Sequence, residues 1–148
     1  MWSVFYDQMF TYNGYKKVLD GLLATAEIAV FGLLIGIVIG TVLAIAKVVP
    51  KYHLFPRICS GIASVYIALF RGTPMVVQLL IGYFVLMPVL GISAQPLSVA
   101  ILIFGLNSGA YVSEIMRSGI NSVDRGQLEA GRAVGLSYSA SMFKIVIP

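Results

Sequence analysis

Three long apolar stretches alternate with short polar ones along this chain. The first, Leu22 to Ala46, holds one charge, Glu27, near its start. A helix of about 20 residues crosses the hydrocarbon of a bilayer, so this run is long enough to do so. Lys47, Lys51, His53 and Arg57, with Pro50 and Pro56, follow and end it. The second run is interrupted. Ile58 to Phe70 is apolar, Arg71-Gly72-Thr73-Pro74 breaks it, and Met75 to Leu90 resumes it. Proline lacks a backbone donor and turns the preceding residue away from helix, so a kink or break is predicted at Thr73-Pro74. The third run, Leu97 to Met116, contains Asn107, Ser108 and Glu114 and starts after the uncharged turn Gly91 to Pro96. The fold class predicted is all-α: a helical transmembrane bundle with three spans.

Two flanking segments have a different pattern. In residues 1–20, Trp2, Phe5, Tyr6, Phe10, Tyr12 and Tyr15 are scattered among polar residues. That suits an interfacial segment, where amphipathic rings gather, and not a cleavable signal peptide. Asn121 to Val134 reads as a short amphipathic helix. Asp124 is placed to cap it, with Gln127 three residues on in capping-box spacing. Gly135 suits the left-handed residue that ends a helix. Arg125, Glu129 and Arg132 are spaced to pair on its surface. Ala130, Gly131 and Ala133 are small enough for close docking, and Ser137 or Ser139 would cap a second helix.

Composition supports lipid as the solvent. Of 148 residues, 59% are hydrophobic and 11% charged, with a mean hydropathy of +0.93. Soluble domains carry roughly 25% charged residues. The net charge of +4 lies beside apolar spans, not on a contiguous basic face, so no nucleic acid is expected. Basic residues mark cytoplasmic loops. They crowd the connection Lys47 to Arg57 and the segment after Met116 and are missing from Met87 to Pro96. This places the N-terminus outside. Lone Cys59 and lone His53 offer no disulfide and no metal set. Gly32, Gly36 and Gly40 form a small-residue face that is either a packing seam or the ordinary glycine content of a membrane helix.

Polar groups inside spans usually face a bundle interior or a cavity. Asn107 and Glu114, two turns apart, share a face and, with Gln78, are candidates for lining a polar solute's route. The alternatives are that Asn107 joins helices and that Glu114 pairs with Arg117. Arg71 is placed to pair with Glu114 or a lipid phosphate, and Glu27 to sit at an interface. The chain has no phosphate-binding G-x-x-x-x-G-K-[ST] loop and no nucleophile set, so it is read as non-enzymatic.

Glu129-Ala130-Gly131, then Gly135, then Ile145-Val146-Ile147-Pro148 resembles the EAA signature of bacterial ABC importer permeases. That signature reads E-A-A, three residues, G, nine residues, I-x-L-P, with Gly131 and Ile147 the two departures. Phe70-Arg71-Gly72-Thr73-Pro74 through Gln78 resembles the F-R-G-T-P-x-x-V-Q stretch of the polar amino-acid uptake branch. Leu106 to Ile115 resembles that branch's L-N-S-G-A-Y-x-x-E-I. The resemblance covers residues 21–148, a partial transmembrane domain. It implies five spans with the EAA loop between the third and fourth, so two further spans are expected beyond Pro148. It implies that Asp124, Gly126, Gln127, Glu129, Ala130, Gly131, Arg132 and Gly135 form a cytoplasmic coupling helix docked on an ABC ATPase. ATP would bind that partner, with no cofactor in this chain. Further implied partners are a second permease copy or homologous permease and an extracytoplasmic solute-binding protein, in a bacterial inner membrane. An ATP-independent secondary transporter or channel is the alternative, and it has no reason to carry the EAA-like loop.

Overall fold

The computed structural model describes residues 2–50 and 52–147. Lys51 and Pro148, which the sequence places in the first connection and in the signature, lie outside the described residues, as does Met1. The described residues are helical with short joints. In chain order they form α1 (Trp2–Tyr6), a π turn (Asp7–Thr11), α2 (Gly14–Val48), α3 (Leu54–Gly72) and α4 (Met75–Ile81). A π turn (Gly82–Leu86) runs into α5 (Met87–Val89). Then come α6 (Pro96–Ser122), α7 (Arg125–Ala133) and α8 (Tyr138–Ser141), which continues as a π turn (Met142–Val146). Among them α2, α3 and α6 are long and apolar enough to cross a membrane, as predicted.

The main packing contact is a seam between α2 and α6. On α2, Gly32, Gly36, Gly40 and Ala44 are buried at four-residue steps. A Cβ on Gly32 would lie 3.2 Å from Phe104 Cβ, one on Gly36 2.5 Å from Ser108 Cβ, and one on Gly40 2.6 Å from Val112 Cγ1. The relation is reciprocal: a Cβ on Gly105 or Gly109 would meet Cγ2 of Ile35 at 2.6 Å or of Ile39 at 2.8 Å. Each helix lets the other's branched side chain sit against bare backbone. In lipid no hydrophobic force pushes helices together, so this close approach and its dispersion contacts hold the pair.

The contacts advance in the same direction on both helices, so α2 and α6 run parallel. The chain must therefore return once between them. The stretch from Leu54 to Val89 makes that return in two pieces, α3 and then α4–α5. Val48 and Ser122 end on one side; Gly14 and Pro96 start on the other. At 1.5 Å per residue the 35-residue α2 is about 52 Å long, well beyond a hydrocarbon core of about 30 Å. Its first turns project past the bilayer. This corrects the boundary at Leu22: the helix begins at Gly14, after Asn13 in a left-handed conformation (φ 54°), because Lys16, Lys17 and Asp20 are compatible with a helix outside the hydrocarbon. Glu27, exposed, lies roughly 30 Å from Val48, near the boundary.

The predicted break at Thr73-Pro74 is present. Thr73 is extended (φ −116°, ψ 144°), and α4 begins at Met75. The third span is longer than its apolar run, since α6 continues through Arg117 to Ser122.

A methyl group at Gly36 has nowhere to go, while one at Gly61 on α3 would meet nothing within 4 Å. Gly36→Ala is therefore expected to destabilise the folded chain by about 1–3 kcal/mol, and Gly61→Ala to cost nothing. Thermal unfolding of both variants in one detergent checks this; equal midpoints would contradict the seam.

Candidate functional site

Two polar constructions stand out on this scaffold. The first lies where α3 breaks. A broken helix in lipid leaves carbonyls that water cannot reach, so the protein must supply their donors. Thr73 Oγ1 donates to Leu69 O at 2.7 Å. Gln78 Nε2 lies 2.9 Å from Phe70 O, 3.0 Å from Thr73 O and 2.8 Å from Thr73 Oγ1. Asn107 Nδ2 of α6 donates to Phe70 O at 3.2 Å and to Gln78 Oε1 at 3.0 Å. Tyr66 donates to Leu106 O at 2.6 Å. Gln78 and Asn107 thus join α3, α4 and α6. A cavity of about 250 Å³ lies beside them, lined in part by Phe70, Thr73, Gln78 and Leu106.

Two turns along the same face of α6 is Glu114. It accepts from Arg117 Nε at 3.2 Å and Nη2 at 2.8 Å. Arg71 Nη1 and Lys47 Nζ lie 3.7 and 3.8 Å from its oxygens. The pairings of Glu114 with Arg117 and Arg71 were legible from the sequence. The one with Lys47 was not, because it crosses from the end of α2. Both Glu114 oxygens are engaged, so an incoming ammonium group would compete with three cations.

The second construction is α7 with its two ends. Asp124 caps it, accepting from Gly126 N at 2.6 Å. This differs from the expected capping box: the carboxylate turns to Gly126, and Gln127 N bonds to the Asp124 carbonyl at 3.0 Å. The missing side chain at Gly126 permits it, since a Cβ there would stand 2.8 Å from Asp124 Oδ1. At the other end Gly135 (φ 90°) forms a Schellman turn, with Gly135 N to Arg132 O at 3.0 Å and Leu136 N to Gly131 O at 3.1 Å. Ser137 caps α8, accepting from Ala140 N at 3.2 Å.

Between these ends α7 shows two faces. Gly131 is buried. A Cβ on it would lie 2.6 Å from Ile145 Cδ1 and 3.0 Å from Ser141 Oγ. So Gly131 seats α7 on α8 and does not face outward as a docking residue. Gln127, Glu129, Ala130, Arg132 and Ala133 are exposed. The expected pairing of Arg125, Glu129 and Arg132 is not found among the described residues, where the ion pairs all involve Glu114. Solvated surface pairs gain little, which is the physical reason. The helix expected from Asn121 is also divided: α6 runs to Ser122 and α7 starts at Arg125, with Val123 extended between them. A groove of about 530 Å³ lies under this joint, bounded by Val48, Ile120, Asp124, Leu128 and Met142.

Comparison with known proteins gives a consistent picture. The family described as binding-protein-dependent transport system inner membrane component matches residues 32–148. A protein of Rickettsia prowazekii named for permease function in a glutamine transport system is 39% identical over 143 residues, 95% of this chain and 63% of the relative. An arginine transport system permease protein of Bacillus subtilis is 41% identical over 131 residues, 88% of this chain and 58% of the relative. The crystal structure of an amino acid ABC transporter with histidines superposes with a TM-score of 0.79 at 32% identity, over 93% of this chain and 62% of that one. The chain thus spans less than two thirds of the length of the curated relatives it matches.

The Asp124 cap generates a local test. Asp124→Ala is expected to cost about 1 kcal/mol at the start of α7, seen as roughly fivefold faster hydrogen exchange of the Gly126 amide, with Asp124→Asn close to the parent. Unchanged exchange in the alanine variant would show that the cap does not form.

Proposed function

This chain belongs to the family of binding-protein-dependent transport system inner membrane components, and from that premise we propose that it forms the membrane-spanning part of an ATP-driven importer for a polar or charged amino acid. The single observation that carries the coupling part of this reading is α7. It is a short helix fixed at both ends and seated by Gly131, and it presents Gln127, Glu129, Ala130 and Arg132 outward. A helix so held moves as a body, which suits the transmission of force from a nucleotide-driven motor. We propose that a cytoplasmic ABC ATPase grips this face, with ATP bound in that partner. Val123 and Gly135 bound the moving unit.

The sidedness follows from charge. The ends of α2 and α6 lie on one side with α7, and by the positive-inside rule the basic residues near them support the reading that this side is cytoplasmic. The N-terminus is then outside, in a bacterial inner membrane, where the aromatic residues of α1 rest at the lipid interface. A second permease copy, or a homologous one, would complete the pore, and an extracytoplasmic solute-binding protein would deliver the solute. The names of the relatives, for glutamine and arginine systems, support an amino acid as cargo. Its route is proposed to pass Gln78, Asn107 and Glu114, with Glu114 acting through the cations it gathers. An ATP-independent carrier is the weaker reading, since it gives the exposed face of α7 nothing to do.

The test is capture of a co-expressed cytoplasmic ABC ATPase by this chain. Glu129→Arg is expected to lower capture by at least about tenfold, a loss of about 1.4 kcal/mol, with membrane insertion unchanged. In the same membranes Gln127→Cys should be labelled only from the cytoplasmic side. Undiminished capture would refute the docking role, and external labelling would overturn the orientation.

A further inference from the structure

One carboxylate in this chain gathers three cations. Arg117 occupies both oxygens of Glu114 at 3.2 and 2.8 Å. Lys47 and Arg71 stand at 3.8 and 3.7 Å, beyond good hydrogen-bond range. Among the described residues, neither side chain is a donor in any hydrogen bond. The cluster therefore sets three positive charges against one negative, with the donors of two cations unspent.

Within this chain, which spans less than two thirds of its relatives' length, the cluster is not sealed either. The Arg71 side chain is 43% exposed, Arg117 34% and Lys47 21%. All three stand on helices long and apolar enough to cross a membrane. Excess cations there are unfavourable against hydrocarbon and need water or an anion. The Arg71 guanidinium lies over the Tyr111 ring, 5.4 Å from its centre. Stacking steadies the planar fork and consumes none of its N–H groups. An arginine held in this way is suited to receive two oxygens side by side.

We propose that Arg71 and Lys47 form a subsite for one anionic oxygen group, a carboxylate or a phosphate, beside the α3–α4 break. Glu114 cancels part of the charge of this pair, so an anion is held weakly enough to leave, as a transport path requires. Resting on the permease reading, one source is the carboxylate of an amino acid passing Asn107 and Gln78. The other source is a phospholipid headgroup.

The test places the chain, labelled with ¹⁵N-arginine, in phosphatidylcholine nanodiscs and follows the Arg71 Nε–Hε resonance, assigned by its loss in Arg71→Lys. Acetate and inorganic phosphate are expected to shift it saturably. Glu114→Gln removes the opposing charge and is expected to tighten acetate binding by at least about tenfold. If Arg71 only braces the helices through Glu114, that variant would weaken or abolish the response, and the subsite would be refuted. A resonance unmoved by either anion would also overturn it. The source is read from two further arms. A shift with L-glutamine but not its α-amide assigns the solute carboxylate; loss of the acetate response on adding phosphatidylglycerol assigns the lipid. An anion response without ATPase capture would defeat the importer reading alone, and capture without an anion response would defeat the subsite alone.

Discussion

The close approach of α2 and α6 sets the positions of the other helices. Gly32, Gly36 and Gly40 on one helix and Gly105 and Gly109 on the other replace side-chain volume with backbone, and Ile35, Ile39 and Val112 fill the space left. Because the register advances in one direction, the two helices are parallel. Parallel spans force a single return crossing, and that crossing must fit the stretch between Leu54 and Val89. The same pairing puts the end of α2, the end of α6 and the whole of α7 on one side of the bilayer. The exposed face of Glu129 and its neighbours is therefore placed by contacts made about 20 residues earlier in α6.

The return crossing is broken, and its break shapes the polar interior. Pro74 prevents a continuous helix, so Leu69 and Phe70 lose partners for their carbonyls. Thr73, Gln78 and Asn107 provide donors. Those side chains are placed by backbone need before any solute is considered. Glu114 has an analogous place among cations: it ties the end of α2, the end of α3 and the middle of α6 together through Lys47, Arg71 and Arg117. Glu114 thus serves the fold by joining three helices while leaving two of the three cations without a close partner among the described residues.

Much of the fold was legible from hydrophobic runs and prolines. The three spans, the break at Thr73-Pro74, the Asp124 cap and the Gly135 terminator all depend on neighbours within a few residues. The failures share a cause. The glycine face of α2 was visible, but nothing local says which helix packs on it. The Gln78–Asn107 bond joins residues 29 positions apart. Lys47 meets Glu114 only once α2 and α6 are parallel. The smallness of Gly131 suits close docking on either face of a short helix; Ser141 and Ile145 decide the face. Arg125, Glu129 and Arg132 have the spacing to pair, but water competes successfully for exposed charges.

The parallel arrangement of α2 and α6 is open to direct measurement. With Cys59 replaced by Ser, spin labels at Val48→Cys and Ile120→Cys report the two ends that border one groove, and labels at Val48→Cys and Leu97→Cys report opposite ends of the bundle. Electron–electron distance measurements in lipid should give a short separation for the first pair and one near 35 Å for the second, the length of α6 between its labels at about 1.5 Å per residue. A long first distance with a short second one would mean that the helices are antiparallel, and the placement of α7 would fail with them.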